Sequence, residues 1–458
     1  MVCQFSLEST GKLCCLTHIT IESHGLNFLG NETHIRVRTM KFSVSPPNKN
    51  RDSLLTNTEG ETKVVKVTLK EGVNWVGVVD WNMRDFHGYI TRRGSSYNAY
   101  LISDEKTALI DTVKSTFSNE LIEKISELTS LDKIDYIIVN HVEMDHSSSL
   151  PVIAKLAKNA KIIASQRGKD ALIEHYGADF NNVETVKTGD ELKLGKRTLR
   201  FLGAPMLHWP DSMFTYLVED KILMPNDAFG QHLASSGRFD DEVDENVLME
   251  EAITYYANIL MPFAPLITRK IQEIVQMGIP IEMIAPSHGI IWRKDPSKII
   301  NAYLNWSSGA AKLKAVVVFD TMWGSTDKMA RAIAEGLISQ GVEVKLLKLR
   351  ATDNTDVVTE IVEAKAVVVG SPTINNGIFP TIGGFLTYVT GLRPKGKLWS
   401  FFGSYGWGGG AVKGMVETAK KAGFEVYEPG IEVKYVPDKE DLKKCFEFGQ
   451  QLAQKIKA

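Results

Sequence analysis

Four side chains that commonly bind metals occur within six residues of the chain, in the segment His141-Val-Glu143-Met-Asp145-His146. The apolar run Tyr136–Asn140 before this segment is typical of a buried strand. Alternate side chains of an extended segment share a face, so we expect the first three to point one way. We expect the fourth to turn in where a serine-capped helix begins. Such a cluster predicts a metal site; a polar loop that happens to hold two histidines is the alternative.

Three more potential ligands follow apolar, strand-like runs. His208 lies in LGAPMLHWPDS, Asp227 in LMPNDAFG and His288 in IAPSHG. With the first segment they make four His, two Asp and one Glu, all at predicted strand ends where loops gather. That set is sufficient for two metal ions with three terminal ligands each and one bridging carboxylate.

A second kind of chemistry is indicated after the predicted strand Ala315–Phe319. There the segment Asp320-Thr-Met-Trp-Gly-Ser-Thr326 precedes a predicted helix. Hydroxyl groups, a glycine and a helix N-terminus together offer hydrogen-bond donors and a positive dipole end to one phosphate. A plain helix cap is the alternative explanation for this loop alone.

Two later loops strengthen the phosphate interpretation. One begins at Ser371 and the other at Gly403, each directly after a predicted strand. Trp407 is flanked by glycines and suits a flat ring system stacked on its indole, although a core or interface aromatic is the alternative. A dinucleotide is not expected, because no GxGxxG with a downstream acid is present. The predicted cofactor-binding residues are Thr321, Met322, Trp323, Gly324, Ser325, Thr326, Pro372, Thr373, Ile374, Asn375, Asn376, Ser404, Tyr405, Gly406, Trp407, Gly408 and Gly409.

The elements that must position these residues divide the chain into three parts. Residues 1–61 lack periodicity and are predicted to be a flexible extension, with a targeting segment as the alternative. In residues 62–310, strand-like runs such as Val73–Trp81, Ser95–Ile102 and Ala108–Asp111 alternate with helical patterns, which predicts an α/β domain. Residues 311–458 alternate regularly between apolar strands and helices, which predicts a parallel sheet buried on both faces.

The composition of the chain indicates which binding partners and which cellular compartment to expect. The chain has 458 residues with 53 basic and 55 acidic side chains, so its charge gives no reason to expect nucleic acid or an anionic membrane as partner. No run of eighteen apolar residues is present, which argues against a membrane span. Four cysteines, three of them before residue 16, build neither a disulfide framework nor a CxxC zinc site. A thiol-poor chain without a signal peptide is expected in the cytoplasm.

The metal segment resembles the His-x-His-x-Asp-His loop of the metallo-β-lactamase-like fold, with Glu143 in place of the second histidine. A carboxylate makes the site harder and more anionic, which favours a redox-active iron pair over zinc. With its downstream ligands the chain resembles the flavodiiron proteins, also called A-type flavoproteins, over about residues 65–458. The three later loops resemble flavodoxin. The implied fold is α/β: a metallo-β-lactamase-like αββα sandwich followed by a flavodoxin-like doubly wound parallel sheet.

The resemblance implies two irons and one FMN per chain. One iron would be held by His141, Glu143 and His208, and the other by Asp145, His146 and His288, with Asp227 bridging. The residue matching His146 does not always ligate in this family. His87 matches a position near the irons in this family, and His232 follows Asp227 closely enough to lie there as well. Either would supply protons or orient a ligand, and a structural histidine is the alternative for both.

The implied activity is that of a terminal reductase. Reduction of dioxygen to two waters takes four electrons, two from a ferrous pair and two from reduced FMN. Reduction of nitric oxide to nitrous oxide is the alternative. The chain ends without a CxxC pair, so a separate donor such as rubredoxin or a reduced flavin- or nicotinamide-linked carrier is expected. The family also implies a head-to-tail homodimer or a homotetramer. A di-zinc hydrolase and an electron-carrier or binding module are the rival interpretations.

Overall fold

The computed structural model describes residues 67–458, so the predicted extension 1–61 lies outside the described residues. The first half contains short strands joined in two main sheets. These strands are β1 (Val67–Lys70), β2 (Val73–Trp75), β3 (Val78–Asp80), β4 (Asp85–Phe86), β5 (Tyr89–Ile90), β6 (Ser95–Tyr97), β7 (Tyr100–Ser103), β8 (Thr107–Ile110), β9 (Ile134–Val139), β10 (Lys161–Ser165), β11 (Glu184–Val186), β12 (Glu191–Lys193), β13 (Thr198–Gly203), β14 (Met213–Leu217), β15 (Ile222–Met224) and β16 (Met283–Ile284).

Seven helices accompany these strands. They are α1 (Ser118–Ser126), α2 (Met144–Ser147), α3 (Leu150–Leu156), α4 (Gln166–Tyr176), α5 (Glu245–Tyr255), α6 (Ala264–Gln276) and α7 (Pro296–Ser308). One sheet has the order β1-β2-β7-β8-β9-β10-β11 and the other β12-β13-β14-β15-β16. Apolar side chains of both sheets form one buried cluster between them, while helices α1, α3 and α4 cover the outer face of the first sheet. This is the αββα sandwich that the sequence predicts.

The second half forms a single sheet with helices on both faces, parallel except for the short antiparallel strand β20 beside β19. Its strands are β17 (Lys312–Phe319), β18 (Glu343–Lys348), β19 (Ala364–Ile374), β20 (Gly377–Ile378), β21 (Leu398–Tyr405), β22 (Glu425–Val426) and β23 (Ile431–Lys434). Its helices are α8 (Ser325–Ile338), α9 (Asn354–Val362), α10 (Pro380–Leu392), α11 (Ala411–Lys421) and α12 (Lys439–Lys457). The order β18-β17-β19-β21-β22, with β23 also beside β21, places the carboxyl ends of β17, β19 and β21 side by side.

Two predicted strands of the first half are each divided in the structure. Val73–Trp81 becomes β2 and β3, which pair with different partners, β7 and β6. The division falls at Gly77, where an added Cβ would lie 2.3 Å from the carbonyl oxygen of Tyr97. Ser95–Ile102 is likewise divided into β6 and β7. Close backbone approach, which only glycine allows here, therefore redirects a continuous apolar run into two sheets.

The two halves share buried apolar surface. One continuous cluster includes Tyr256 and Leu260 of the first half and Val357, Ile361 and Phe385 of the second. The described residues 67–458 accordingly belong to one compact unit. The boundary at 310/311 stays a prediction; the short segment between α7 and β17 contains it. Within residues 67–458, no helix combines the length and apolar character needed to cross a bilayer.

Candidate metal centre and flavin site

The predicted metal segment begins where β9 ends. Five of the six β9 residues are buried, so the strand is fixed within the first sheet and delivers His141 to its carboxyl end. Glu143 precedes the short helix α2, which contains Asp145 and His146. The alternation expected of an extended segment therefore stops at Glu143, because the chain turns helical at Met144. Asp145 consequently lies with His146 rather than with the first two ligands.

Loops of the second sheet supply the other three side chains. His208 follows β13, Asp227 follows β15 and His288 follows β16. The three strands lie in one sheet, and their loops meet the metal segment from the facing sheet. All seven predicted ligands thus come together at one end of the sandwich, and each has at most 9% of its side chain exposed except Glu143, at 11%.

Two groups form within this set. In the first, Nε2 of His208 lies 3.2 Å from Oε2 of Glu143, and Nε2 of His141 lies 3.3 Å from the same oxygen. In the second, Nε2 of His288 lies 3.0 Å and Nε2 of His146 lies 3.4 Å from Oδ2 of Asp145. Ligand atoms within each group lie no more than 4.8 Å apart, a spacing compatible with one metal ion per group.

Asp227 stands between the two groups. Its Oδ2 lies 3.4 Å from His208 and 3.6 Å from His141, whereas its Oδ1 lies 3.1 Å from His146 and 3.4 Å from His288. One oxygen of the carboxylate therefore faces each group. This is the geometry expected of a carboxylate that bridges two cations.

Several buried atoms of the set make no hydrogen bond to protein. They are both carboxylate oxygens of Asp145, Oδ2 of Asp227, Nε2 of His288 and Nδ1 of His146. The imidazole nitrogens near these oxygens approach without hydrogen-bond geometry, and a buried carboxylate without hydrogen bonds is costly because its lost hydration is only partly replaced. Three of these residues direct their free atoms into the same small volume, so a pair of cations would satisfy them. The donor set of nitrogen and hard oxygen atoms suits iron.

The electrostatics of the set favour bound cations. Burial alone would raise the pKa of Asp227, but the surrounding histidines, His146 foremost, hold it well below its usual value. Burial would likewise lower the pKa of His208, yet Asp227 and Glu143 raise it to about 8. The carboxylates are therefore ionised at neutral pH and attract positive charge, and bound cations would replace the protons that the histidines otherwise hold.

Side chains outside the ligand set fix the orientation of the ligands. Oδ2 of Asp211 lies 3.0 Å from Nδ1 of His141 and accepts a hydrogen bond of 2.7 Å from the amide of Val142. Tyr255 donates its hydroxyl to Oδ1 of Asp227 at 3.0 Å. Neither Asp211 nor Tyr255 was predicted from the sequence. Asp211 stands three residues after His208, a spacing that offers a weak signal, whereas Tyr255 lies at the end of an ordinary helical pattern.

His87, which the sequence predicts near the metals, contacts a ligand. Its Nε2 lies 2.6 Å from Oε1 of Glu143, and 45% of its side chain is exposed. The hydrogen bond to Glu143 raises the pKa of His87. An exposed imidazole that is hydrogen-bonded to a carboxylate of the ligand set can pass protons between solvent and the metal site. That role stays a prediction.

His232 lies deeper. Its Nδ1 is 2.8 Å from Oγ of Ser95, and its ring centroid is 4.8 Å from that of His288. Burial, together with His288, lowers the pKa of His232 well below its usual value, so the ring is neutral. Its Nε2 is buried and makes no hydrogen bond. The position supports packing against His288, and a proton-transfer role stays a prediction.

The predicted phosphate loop lies at the carboxyl end of β17. Gly324 is the N-cap of α8 with φ of 90°, and no side chain caps the first turn of this helix. No side chain therefore competes with a phosphate for the amide groups in the first turn of α8. Arg350 supports the loop from outside through a 2.9 Å bond to Asp320 and a hydrogen bond to the carbonyl of Thr321.

The other two loops complete a cavity of about 740 Å³ beside this helix end. Asn375 and Asn376 form a two-residue turn between β19 and β20, with φ of 49° and 58°. Gly410 passes so close to this turn that an added Cβ would lie 2.2 Å from the carbonyl oxygen of Asn376. Trp407 is 91% and Trp323 94% exposed at the cavity edge, so both indoles are open to a flat ligand.

Most of the predicted flavin residues line this cavity. The exceptions are Gly324, Thr326 and Gly409, which lie next to it. Thr326 is buried and bonds its hydroxyl to that of Ser404 at 2.9 Å. Tyr435 and Val436 line the cavity as well, although the sequence analysis did not identify them. They directly follow β23, a four-residue strand whose sequence does not indicate that the next residues lie beside a ligand.

Comparisons with known proteins agree with the two predicted types of domain. Residues 96–289 match the ODP family beta lactamase and residues 317–449 match flavodoxin. The chain is 53% identical to a "Nitric oxide reductase" of Moorella thermoacetica over 85% of this chain and 98% of that protein. It is also similar to the rubredoxin oxygen:oxidoreductase of Desulfovibrio gigas, with a TM-score of 0.84 and 39% identity over 86% of this chain and 99% of that one.

The flavodiiron protein of Giardia intestinalis is 40% identical with a TM-score of 0.83, covering 86% of this chain and 97% of that one. The two matched families follow one another in the order that the sequence analysis predicts, and the fold class is confirmed. FMN and a di-iron centre are the cofactors that this combination implies, and the residues present fit both. The chain belongs to the flavodiiron protein family of oxidoreductases.

Proposed function

We propose that this chain is a terminal reductase of small diatomic gases, which reduces dioxygen to water and, as a second candidate, nitric oxide to nitrous oxide. One observation carries the proposal. Seven buried nitrogen and oxygen ligands form two adjoining groups that share Asp227, on the same chain as a cavity suited to FMN. The second candidate rests on the name of the Moorella relative.

The electron balance explains why both cofactors belong to one reaction. When bound, a ferrous pair and reduced FMN supply the four electrons that convert one dioxygen and four protons to two waters. Two electrons and two protons convert two nitric oxide molecules to nitrous oxide and one water. The chain's own residues hold the metals, and His87 and Tyr255 hydrogen-bond to the carboxylates Glu143 and Asp227. We assign to His87 the delivery of protons, because it is both exposed and bonded to a ligand.

We also propose a head-to-tail homodimer, or a homotetramer built from it, in which the flavin of one chain meets the irons of another. Exposed apolar side chains at both sites support this arrangement. Met144 and Met206, neighbours of the metal ligands, are 54% and 41% exposed. Trp323 and Trp407 are almost fully exposed beside the flavin cavity. Clusters of large exposed apolar side chains mark surfaces that bind another protein chain or a ligand.

Electrons would enter from a separate carrier such as rubredoxin, or from a reduced flavin- or nicotinamide-linked carrier. The thiol-poor composition, with four cysteines in 458 residues, supports a cytoplasmic location. The similarity to the Desulfovibrio protein, whose name includes rubredoxin, supports a carrier of that type.

The deciding experiment measures metal and flavin content per chain after anaerobic purification, followed by gas consumption at oxygen and nitric oxide electrodes with a chemically reduced rubredoxin as donor. We expect two irons, one FMN and consumption of dioxygen. A higher kcat/KM for nitric oxide would select the second candidate. Two zinc ions without flavin would instead support a hydrolase, and bound flavin with no gas consumption would support an electron carrier.

A further inference from the structure

The hairpin that carries His87 is short and tightly closed. Strands β4 and β5 are joined by the two residues His87 and Gly88, with φ of 53° and 82°. Two positive φ values in a two-residue loop are typical of a type I′ turn, which follows the twist of its strands. The amide of Thr91 closes the base of the hairpin on the carbonyl of Arg84 at 3.1 Å. The position of the His87 imidazole therefore depends on the contacts that fix the open end of this hairpin, which we call its base.

Helix α9 of the flavodoxin-like half holds that base. The amide of Ile90 donates to Oγ1 of Thr355 at 3.0 Å. The guanidinium of Arg92 makes two hydrogen bonds to Asp356, at 2.5 and 2.8 Å. Both partners belong to the first turn of α9. The hairpin that reaches Glu143 is thus fastened to the half of the chain that contains the flavin cavity.

The same helix contacts a second element that reaches the metal ligands. A π-helical turn, Tyr256–Leu260, directly follows Tyr255, whose hydroxyl bonds to Asp227. Within this turn the buried Asn258 lies 3.5 Å from the carbonyl of Thr355 and accepts a 2.7 Å hydrogen bond from the hydroxyl of Tyr388. Irregular turns of this kind often mark functional positions in helices.

We propose that helix α9 is a positioning element of the metal site in its own chain, with Asp356 and Thr355 holding the His87 hairpin against Glu143. The proposal rests on the proposed function, since it assigns to the flavodoxin-like half a role in the metal chemistry beyond electron supply. Asp356 and Arg92 are positioning residues: neither touches a ligand atom, and both act through the hairpin.

The ion pair between Arg92 and Asp356 is solvent-exposed, so its removal should affect the position of the hairpin without greatly lowering the stability of the fold. The side chains of Arg92 and Asp356 are 51% and 38% exposed, and pairs so exposed add little to stability. Arg293 and Asp241 form a comparable pair within the first half, with hydrogen bonds of 2.9 and 3.2 Å and the same 38% exposure of the aspartate, although Arg293 also bonds to Glu242 at 3.1 Å. Asp241→Asn is therefore the control for Asp356→Asn.

The first measurement is amide hydrogen exchange of the peptide covering residues 85–92 in the iron- and FMN-loaded protein. Asp356→Asn should speed exchange there, and Asp241→Asn should leave it at the wild-type rate. Arg92→Gln, which leaves α9 unaltered, should reproduce the effect. Unchanged exchange in both variants, or equal acceleration by the control, overturns the proposal. This measurement needs no turnover, so it decides the proposal even if the wild-type protein consumes no gas, a result that would refute the proposed function alone.

The second measurement separates positioning from simple loss of folding. With iron and FMN contents equal to wild type, Asp356→Asn should lower kcat by about 3-fold to 30-fold and alter the Mössbauer spectrum of the resting iron pair. The double variant Arg92→Gln/Asp356→Asn should be no slower than either single variant, since both remove one interaction. Wild-type kcat with a wild-type spectrum, or additive losses in the double variant, contradicts the assignment.

Discussion

Asp211 provides the sharpest test of how the protein prepares its metal ligands. Its Oδ2 holds Nδ1 of His141 at 3.0 Å and the Val142 amide at 2.7 Å, and only 4% of the residue is exposed. A carboxylate on Nδ1 keeps the proton on that nitrogen and leaves Nε2 free for a metal. In Asp211→Asn the side-chain amide offers N–H donors instead, which favours the opposite tautomer of His141.

Loss of such a partner typically costs about 10-fold to 100-fold in metal affinity, or about 1.4 to 2.7 kcal/mol. The assay is iron release from the anaerobic ferrous protein to a competing chelator, with FMN retention measured in parallel. We expect iron affinity to fall by that factor and FMN to stay bound, because the flavin cavity lies in the other half of the chain. Asp111→Asn is the control: Asp111 is equally buried and accepts a 2.7 Å bond from the Asn140 amide, but its oxygens bond to asparagines. Iron affinity equal to wild type in Asp211→Asn, or an equal loss in Asp111→Asn, would refute the reasoning.

Three further predictions follow from other features. Asp227→Asn should remove or uncouple the iron pair while FMN stays bound, as metal analysis and flavin absorbance will report; loss of both cofactors would contradict the separate placement of the sites. Trp407→Ala should weaken FMN binding by about 1 to 3 kcal/mol in a fluorescence titration through lost stacking, whereas Trp81→Ala, another exposed tryptophan, should not. Burial lowers the pKa of Lys397 to about 8, so the unfolded chain binds more protons than the folded one between pH 8 and 10.5. The shift is worth about 3.4 kcal/mol at pH 7, and loss of the 2.7 Å hydrogen bond from Lys397 to the Val362 carbonyl offsets about 1.5 kcal/mol of it. Lys397→Met should therefore be more stable than wild type by about 2 kcal/mol at pH 7 in urea unfolding, with the difference shrinking as the pH rises through that window; a constant difference would show that the lysine is not responsible.

The sequence predicted the parts of the molecule that depend on local pattern. Continuous apolar runs such as Ala315–Phe319 lie in strands because a parallel sheet buries both faces, and ligand-type residues directly after such runs gather at one edge. That is why His208, Asp227 and His288 were recognised, although the first and the last lie 80 positions apart in the chain. Family recognition rested on the same residues and is confirmed.

Features that depend on three-dimensional packing were not predictable in this way. The contact between Arg92 and Asp356 spans 264 positions of the chain, and neither residue stands in a pattern that distinguishes it from other surface charges. Asp145 was expected to share a face with His141. Helix α2 begins at Met144, the residue before Asp145, and therefore turns the Asp145 side chain toward His146. The interruption of a strand at Gly77 likewise follows from the approach of Tyr97, a neighbour only after folding.

The turn at His87 and Gly88 restricts which residues evolution or an engineer can place beside the metals. A φ of 53° is a conformation that histidine, asparagine and aspartate adopt several times more often than other non-glycine residues. Threonine or valine at position 87 would strain the backbone as well as remove the imidazole, whereas asparagine or glycine would remove the imidazole alone. Variation at this position is thus expected to run through a small set of residue types, and a library at position 87 restricted to that set will report on chemistry rather than on folding.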